Sequence, residues 1–173
     1  TLNYFKAAIS DFEKSTFEDN LQAQNKLVAV IEGAPKNVDA RGTLCLVYKE
    51  LWSFVKQDVR DMDSLFNMAK GTRAIDPTGI NSIYCEISKL MIMGKNKEAR
   101  GVVDYALNLS QFATAPVLYQ LKAELLAVED DFKSASLYSE KAMALWPEWI
   151  KPSISLGSYE SMNNRFPESV SAF

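Results

Sequence analysis

Gly94-Lys95-Asn96-Lys97-Glu98-Ala99, followed by Asp104-Tyr105-Ala106-Leu107-Asn108-Leu109, is answered further along by Asp130-Asp131-Phe132-Lys133-Ser134-Ala135 and then Glu140-Lys141-Ala142-Met143-Ala144-Leu145. Both blocks are displaced by 36 residues. A period of that size is the signature of a two-helix unit, because one hairpin cannot bury its apolar face alone and must stack on copies of itself. Pro77 and Pro147 lie 70 residues apart, two such units. Within each block the alanine pairs Ala99/Ala106 and Ala135/Ala142 are seven residues apart, on one face two turns along, where small side chains let helices approach.

Working outward, apolar residues recur at helical spacing almost everywhere, and no stretch alternates cleanly between apolar and polar with turn signals on both sides. The chain is therefore expected to be all-α. Helices are predicted near 2–15, 18–32, 38–56, 61–75, 79–93, 96–110, 116–128, 132–146 and 150–163, with a tenth beginning near 167. Breakers mark the joints: Ala34-Pro35-Lys36-Asn37, Asp76-Pro77-Thr78-Gly79, Gly94-Lys95-Asn96, Trp146-Pro147 and Arg165-Phe166-Pro167. No linker divides the chain. Residues 1–79 read as degenerate hairpins and 80–173 as better-formed repeats of the same domain.

At these residues the sequence resembles the tetratricopeptide repeat (TPR) family, whose unit is a 34-residue helical hairpin. The best copy runs from Pro116 to Trp149, with Tyr119, Ala123, Leu126, Phe132, Ala135, Ala142, Leu145 and Pro147 in the large, small and proline places. A second, from Ile80 to about Ala115, carries Ile83, Ile87, Leu90, Gly94, Ala99, Ala106 and Leu109, with Asn96 where an aromatic is usual. A third begins after Trp149 with Leu156-Gly157, Phe166 and Ser169, and the array looks cut or tapered at Phe173. Residues 38–77 keep Ala74-Ile75-Asp76-Pro77 but place Leu65 where a small residue is usual, and residues 2–35 keep Phe17 with the Leu27/Val30 pair. Lys122 stands where the pattern wants a large apolar residue; either its stem snorkels over the core or the helix is rotated. The resemblance implies a right-handed superhelix of antiparallel hairpins, a TPR-like α-α solenoid.

Composition narrows the function classes. With 173 residues, 47% apolar and 24% charged, the chain has material for one packed core. Basic residues number 19 and acidic 22, spread evenly over both halves, so no field favours nucleic acid or anionic lipid. No uninterrupted apolar stretch exceeds the length of Leu27 to Ile31, far below the roughly 18 residues of a membrane span, so no membrane insertion is expected. The chain begins at Thr1 without a basic-then-apolar leader, as expected of a processed product or an excised domain.

Histidine is absent, which removes the commonest general base and metal ligand together. The seven glycines are scattered singly, with no phosphate-binding loop, and two cysteines without histidine cannot build a structural zinc site. No cofactor, no metal and no catalytic residues are expected. Acidic groups do cluster at Asp58/Asp61/Asp63 and Glu129/Asp130/Asp131, but both clusters precede helices, where Asp and Glu cap free N–H groups. Met62, Met68, Met91 and Met93 read as core filling before a soft partner surface. In Trp146-Pro147-Glu148-Trp149 the aromatics either close the core or anchor a partner.

Cys45 and Cys85 fall in first helices of successive units, whose axes should lie roughly 8–10 Å apart, whereas bridging requires Cα atoms within about 7 Å. Two free thiols are expected, and with them a cytoplasmic protein, although a periplasmic or secreted domain stays open.

The resemblance further implies a concave face, lined by the first helix of each repeat, that holds a peptide from another protein. By position it would include Asn81, Tyr84, Ser88, Met91, Gln120, Glu124, Lys151 and Ser155, with Trp149 at one edge. Members that grip the carboxylate tails of chaperones use Lys, Arg and Asn there; Tyr84, Ser88, Gln120 and Glu124 argue against such a clamp. The expected function is a non-catalytic scaffold or adaptor that binds a partner protein or peptide. The alternative is a ligand-sensing or regulatory domain of a larger transcription regulator or secretion component, which a large apolar pocket would favour. A carboxylate-based enzyme ranks third, because the candidate acids sit at turns.

Overall fold

In the computed structural model the described residues are 2–54 and 59–165, and they are helical throughout apart from turns. The helices are α1 (Leu2–Lys14), α2 (Phe17–Gly33), α3 (Val38–Phe54), α4 (Val59–Ile75), α5 (Ile80–Ile92), α6 (Asn96–Leu107), α7 (Pro116–Val128), α8 (Phe132–Leu145) and α9 (Ile150–Arg165). A short 3-10 turn at Ser110–Phe112 joins α6 to α7. Each helix packs on the next along the chain, and α3 also packs broadly on α5. The predicted helices fall on these nine; the tenth, near 167, lies outside the described residues.

The 36-residue period reappears in the backbone of two turns. After α5, Gly94 takes φ +71° and the Lys95 N–H donates to the Leu90 carbonyl at 2.9 Å. After α7, Asp130 takes φ +61° and the Asp131 N–H donates to the Leu126 carbonyl at 3.0 Å. Both are left-handed helix ends that satisfy a carbonyl which the helix leaves free. Three of the second helices stop differently. The Ala34 N–H donates to Val30, Asp76 to Thr72 and Trp146 to Ala142, and a proline follows each time: Pro35, Pro77 and Pro147. Proline has no N–H to continue the ladder. Three helix starts are capped by side chains: Thr16 accepts from the Asp19 N–H, Asn37 from Ala40 and Asp131 from Ser134. Asp131 thus caps as expected of the Glu129–Asp131 cluster. Of the other cluster, Asp58 lies outside the described residues and Asp63 is exposed.

Ala99, Ala106, Ala135 and Ala142 are all fully buried, at the crossings their spacing implied. Leu65 is fully buried as well, despite its bulk. Lys122 snorkels: its ammonium reaches Asp104 at 2.8 Å and lies 4.5 Å above the Tyr138 ring. Met68 and Met91 pack against the core, whereas Met93 is exposed.

The expectation of two free thiols is overturned. Cys45 and Cys85 form a disulfide between α3 and α5, with Cα atoms 5.0 Å apart and both residues fully buried. The spacing estimate for average side chains fails because Gly42, one turn before Cys45, has none. A Cβ there would sit 2.6 Å from the Asn81 Cβ, closer than atoms tolerate. Glycine on α3 therefore brings the two backbones together where the cysteines meet. The cytoplasmic expectation loses the basis it had.

The stack also curls on itself. Phe12 of α1 stacks on Trp149, just ahead of α9, with centroids 5.5 Å apart, and Trp146 donates from Nε1 to Glu13 at 2.9 Å. Helices α1 and α9 are thereby in contact, and Trp149 is 3% exposed within the main core.

Candidate functional site

Residues 44–51 of α3 are buried without a break, so this helix is enclosed on all sides along two turns. Lys49 and Glu50 lie inside that stretch, and a buried charge must be paired. Lys49 meets Glu124 of α7 at 2.5 Å and Glu50 at 2.7 Å; Lys151 of α9 meets Glu50 at 2.7 Å and Glu124 at 3.9 Å. Two cations and two anions thus close on each other. Burial opposes the charge on Lys49, yet Glu124 and Glu50 more than offset this and hold its pKa above the ordinary lysine value. Burial likewise opposes the charge on Glu50, but Lys49 and Lys151 bring its pKa down to about 2. The network ties α3, α7 and α9 together and fills the middle of the face formed by first helices.

Gln120 extends the network toward α8. Fully buried, it donates from Nε2 to Ser155 at 2.9 Å and to Glu124 at 3.3 Å, and accepts from the Ser139 hydroxyl at 3.1 Å.

Beside this plug a groove of about 540 Å³ remains open. Its walls come from the α1–α2 turn (Ser15), the end of α3 (Ser53, Phe54) and α9 (Ile154, Ser158, Tyr159), with Glu124, Lys151 and Ser155 below. Phe54 is 50% and Ile154 58% exposed, and Phe17 packs edge-on against Phe54 at 5.9 Å. Burial, with Glu124 adding to it, pushes the Tyr159 hydroxyl up to about 12, so it is neutral. A smaller recess of about 150 Å³ lies across Glu124, between Lys49, Trp52, Ser53, Met91 and Ile92.

Of the residues expected on the concave face, Gln120, Glu124, Lys151 and Ser155 come together here, and Met91 lies at the smaller recess. Asn81 sits elsewhere, between Gly42 and Asp39, to which it donates at 2.8 Å. Ser88 is fully buried, and its hydroxyl has no hydrogen-bond partner. Tyr84 packs against the core, where burial raises its pKa above the ordinary tyrosine value. Sequence reasoning passed over Lys49, Glu50, Phe54, Ile154 and Tyr159. The signal for the first two was present: a Lys-Glu pair inside Leu44-Cys45-Leu46-Val47-Tyr48-Lys49-Glu50-Leu51, an otherwise almost apolar run.

No protein-family model and no curated protein sequence matches the chain. Solved structures do. A thermophilic TPR protein of Thermus thermophilus, TTC0263, matches with a TM-score of 0.54 at 15% identity, over 81% of this chain and 72% of that one. The fold is that of tetratricopeptide-repeat proteins. MamA matches with a TM-score of 0.50 at 17% identity, over 85% of this chain and 80% of its own. In this TPR-like frame, α1, α3, α5, α7 and α9 are the first helices of their hairpins, and the plugged face is the one they share. Among the described residues no helix is long and apolar enough to cross a membrane, and no acidic or cysteine cluster is built to hold a metal ion.

Proposed function

We propose that the chain is a non-catalytic protein-interaction module that holds a partner in the groove between the α1–α2 turn and α9. One observation carries this reading: the centre of the first-helix face is occupied by the chain's own paired charges, while a large opening onto which Phe54 and Ile154 are exposed lies beside them. A repeat fold without histidine offers a shaped surface before it offers chemistry. The groove falls within the size range of small-ligand sites, so sensing of a small apolar molecule in a regulatory protein is the second reading.

The buried Cys45–Cys85 bridge supports a working place in an oxidising compartment, since such bonds form and persist there and are rare in a reducing cytosol.

The test is site-specific photo-crosslinking in the source cells. A crosslinking side chain at Ile154 should yield a discrete protein adduct, and the same group at Leu137, exposed on the second helix α8, should not. Adducts from position 137 alone would move the working surface to the second-helix face.

A further inference from the structure

We infer that the groove takes an uncharged segment of the partner protein carrying one or two large apolar side chains. This rests on the reading that the groove is the working surface and specifies what fits there. The charges at its base have already found one another: Lys151 is committed to Glu50 and Glu124, and Lys49 to the same two carboxylates. With two charges of each sign in mutual contact, the base offers no net field to a charged ligand.

Its serine hydroxyls are largely engaged as well, with Ser158 at the exposed rim the exception. Ser53 donates to the Glu50 carbonyl at 2.6 Å and Ser15 to the Phe12 carbonyl at 3.3 Å. Ser155 accepts from Gln120 at 2.9 Å. A charged side chain entering here would lose water and find no uncommitted counter-charge. What the groove chiefly leaves open is apolar surface: the exposed faces of Phe54 and Ile154, with Phe17 extending the lip. A volume of about 540 Å³ is more than a single side chain fills, so a short segment is accommodated.

Selection of a random phage-displayed peptide library on the oxidised chain tests this. Enriched peptides should share large apolar residues in an uncharged stretch, and their affinity should change by no more than about twofold between roughly 50 and 500 mM salt. Ile154→Asp, at an exposed position that leaves the fold intact, should weaken them roughly tenfold or more, and Leu137→Asp should leave them unchanged. An acidic or basic consensus, a steep salt dependence or no enrichment would overturn the chemistry while leaving the groove as a surface. Peptides that bind Ile154→Asp as well as the parent chain would overturn the groove itself. A dimer of the free chain that Ile154→Asp dissolves would assign the groove to a second copy, against the inference.

Discussion

Lys49 and Glu124 meet at 2.5 Å although 75 residues separate them, joining α3 to α7 across the intervening hairpin. A contact of that reach ties together first helices that are not neighbours in the stack. With Phe12 against Trp149, it decides which part of the surface is left for a partner.

The two left-handed turns give a paired prediction. Gly94 and Asp130 adopt nearly the same backbone conformation, but only glycine does so without steric cost. Gly94→Ala should destabilise the fold by about 1–2 kcal/mol, and Asp130→Gly should stabilise it by up to about 1 kcal/mol. Urea midpoints at constant slope measure both. A stabilising Gly94→Ala would show that the turn is not left-handed.

The disulfide closes a loop of 40 residues, for which loop-closure entropy gives roughly 4 kcal/mol of stabilisation. The denatured, unreduced chain should therefore show no titratable thiol, and two after reduction, with a large drop in melting temperature on reduction. Two thiols before reduction would restore the expectation of separate cysteines. Gly42→Ala, which forces α3 away from Asn81, should cost about 1–3 kcal/mol through overpacking.

Stability should be flat in the middle of the pH range and fall more steeply on the alkaline side. Lys49, with its folded pKa raised, contributes fully below the ordinary lysine value of about 10.4, and that contribution is lost as pH rises through the folded value. Tyr84 and Tyr159 are neutral when folded but ionise near the ordinary value of about 10 when unfolded, so they add to the alkaline loss. Glu50, lowered to about 2, contributes above the ordinary glutamate range and loses that contribution as pH falls through 2. Urea midpoints measured from pH 3 to about 11 should show this shape. A midpoint as high at pH 11 as at neutrality would contradict it.

Helix positions were readable because most joints carry their own stop: a proline after α2, α4 and α8, Gly94 after α5, and Asp130-Asp131 between α7 and α8. The stacking order followed from the period. The disulfide did not, because close approach depends on one glycine facing one asparagine across two helices, a tertiary coincidence that no local pattern encodes. The plug was half legible. Gln120, Glu124, Lys151 and Ser155 fell on the expected face by repeat position, while Lys49 and Glu50 lie in the degenerate hairpin where no register pointed to them. Trp149 was read as a candidate partner anchor, but its ring is committed to Phe12; the curl that brings α1 round to α9 is a property of the whole stack.

The closure of the first-helix face is tested most directly by a double-mutant cycle on stability with Lys49→Met, Glu124→Gln and the pair. Each single change leaves a buried charge poorly paired and should cost about 3–5 kcal/mol. If the two side chains meet as described, the double variant should lose clearly less than the sum, with a coupling of about 1–3 kcal/mol. Strict additivity would show that α3 and α7 do not touch through this pair, and would return the middle of that face to the list of open surfaces.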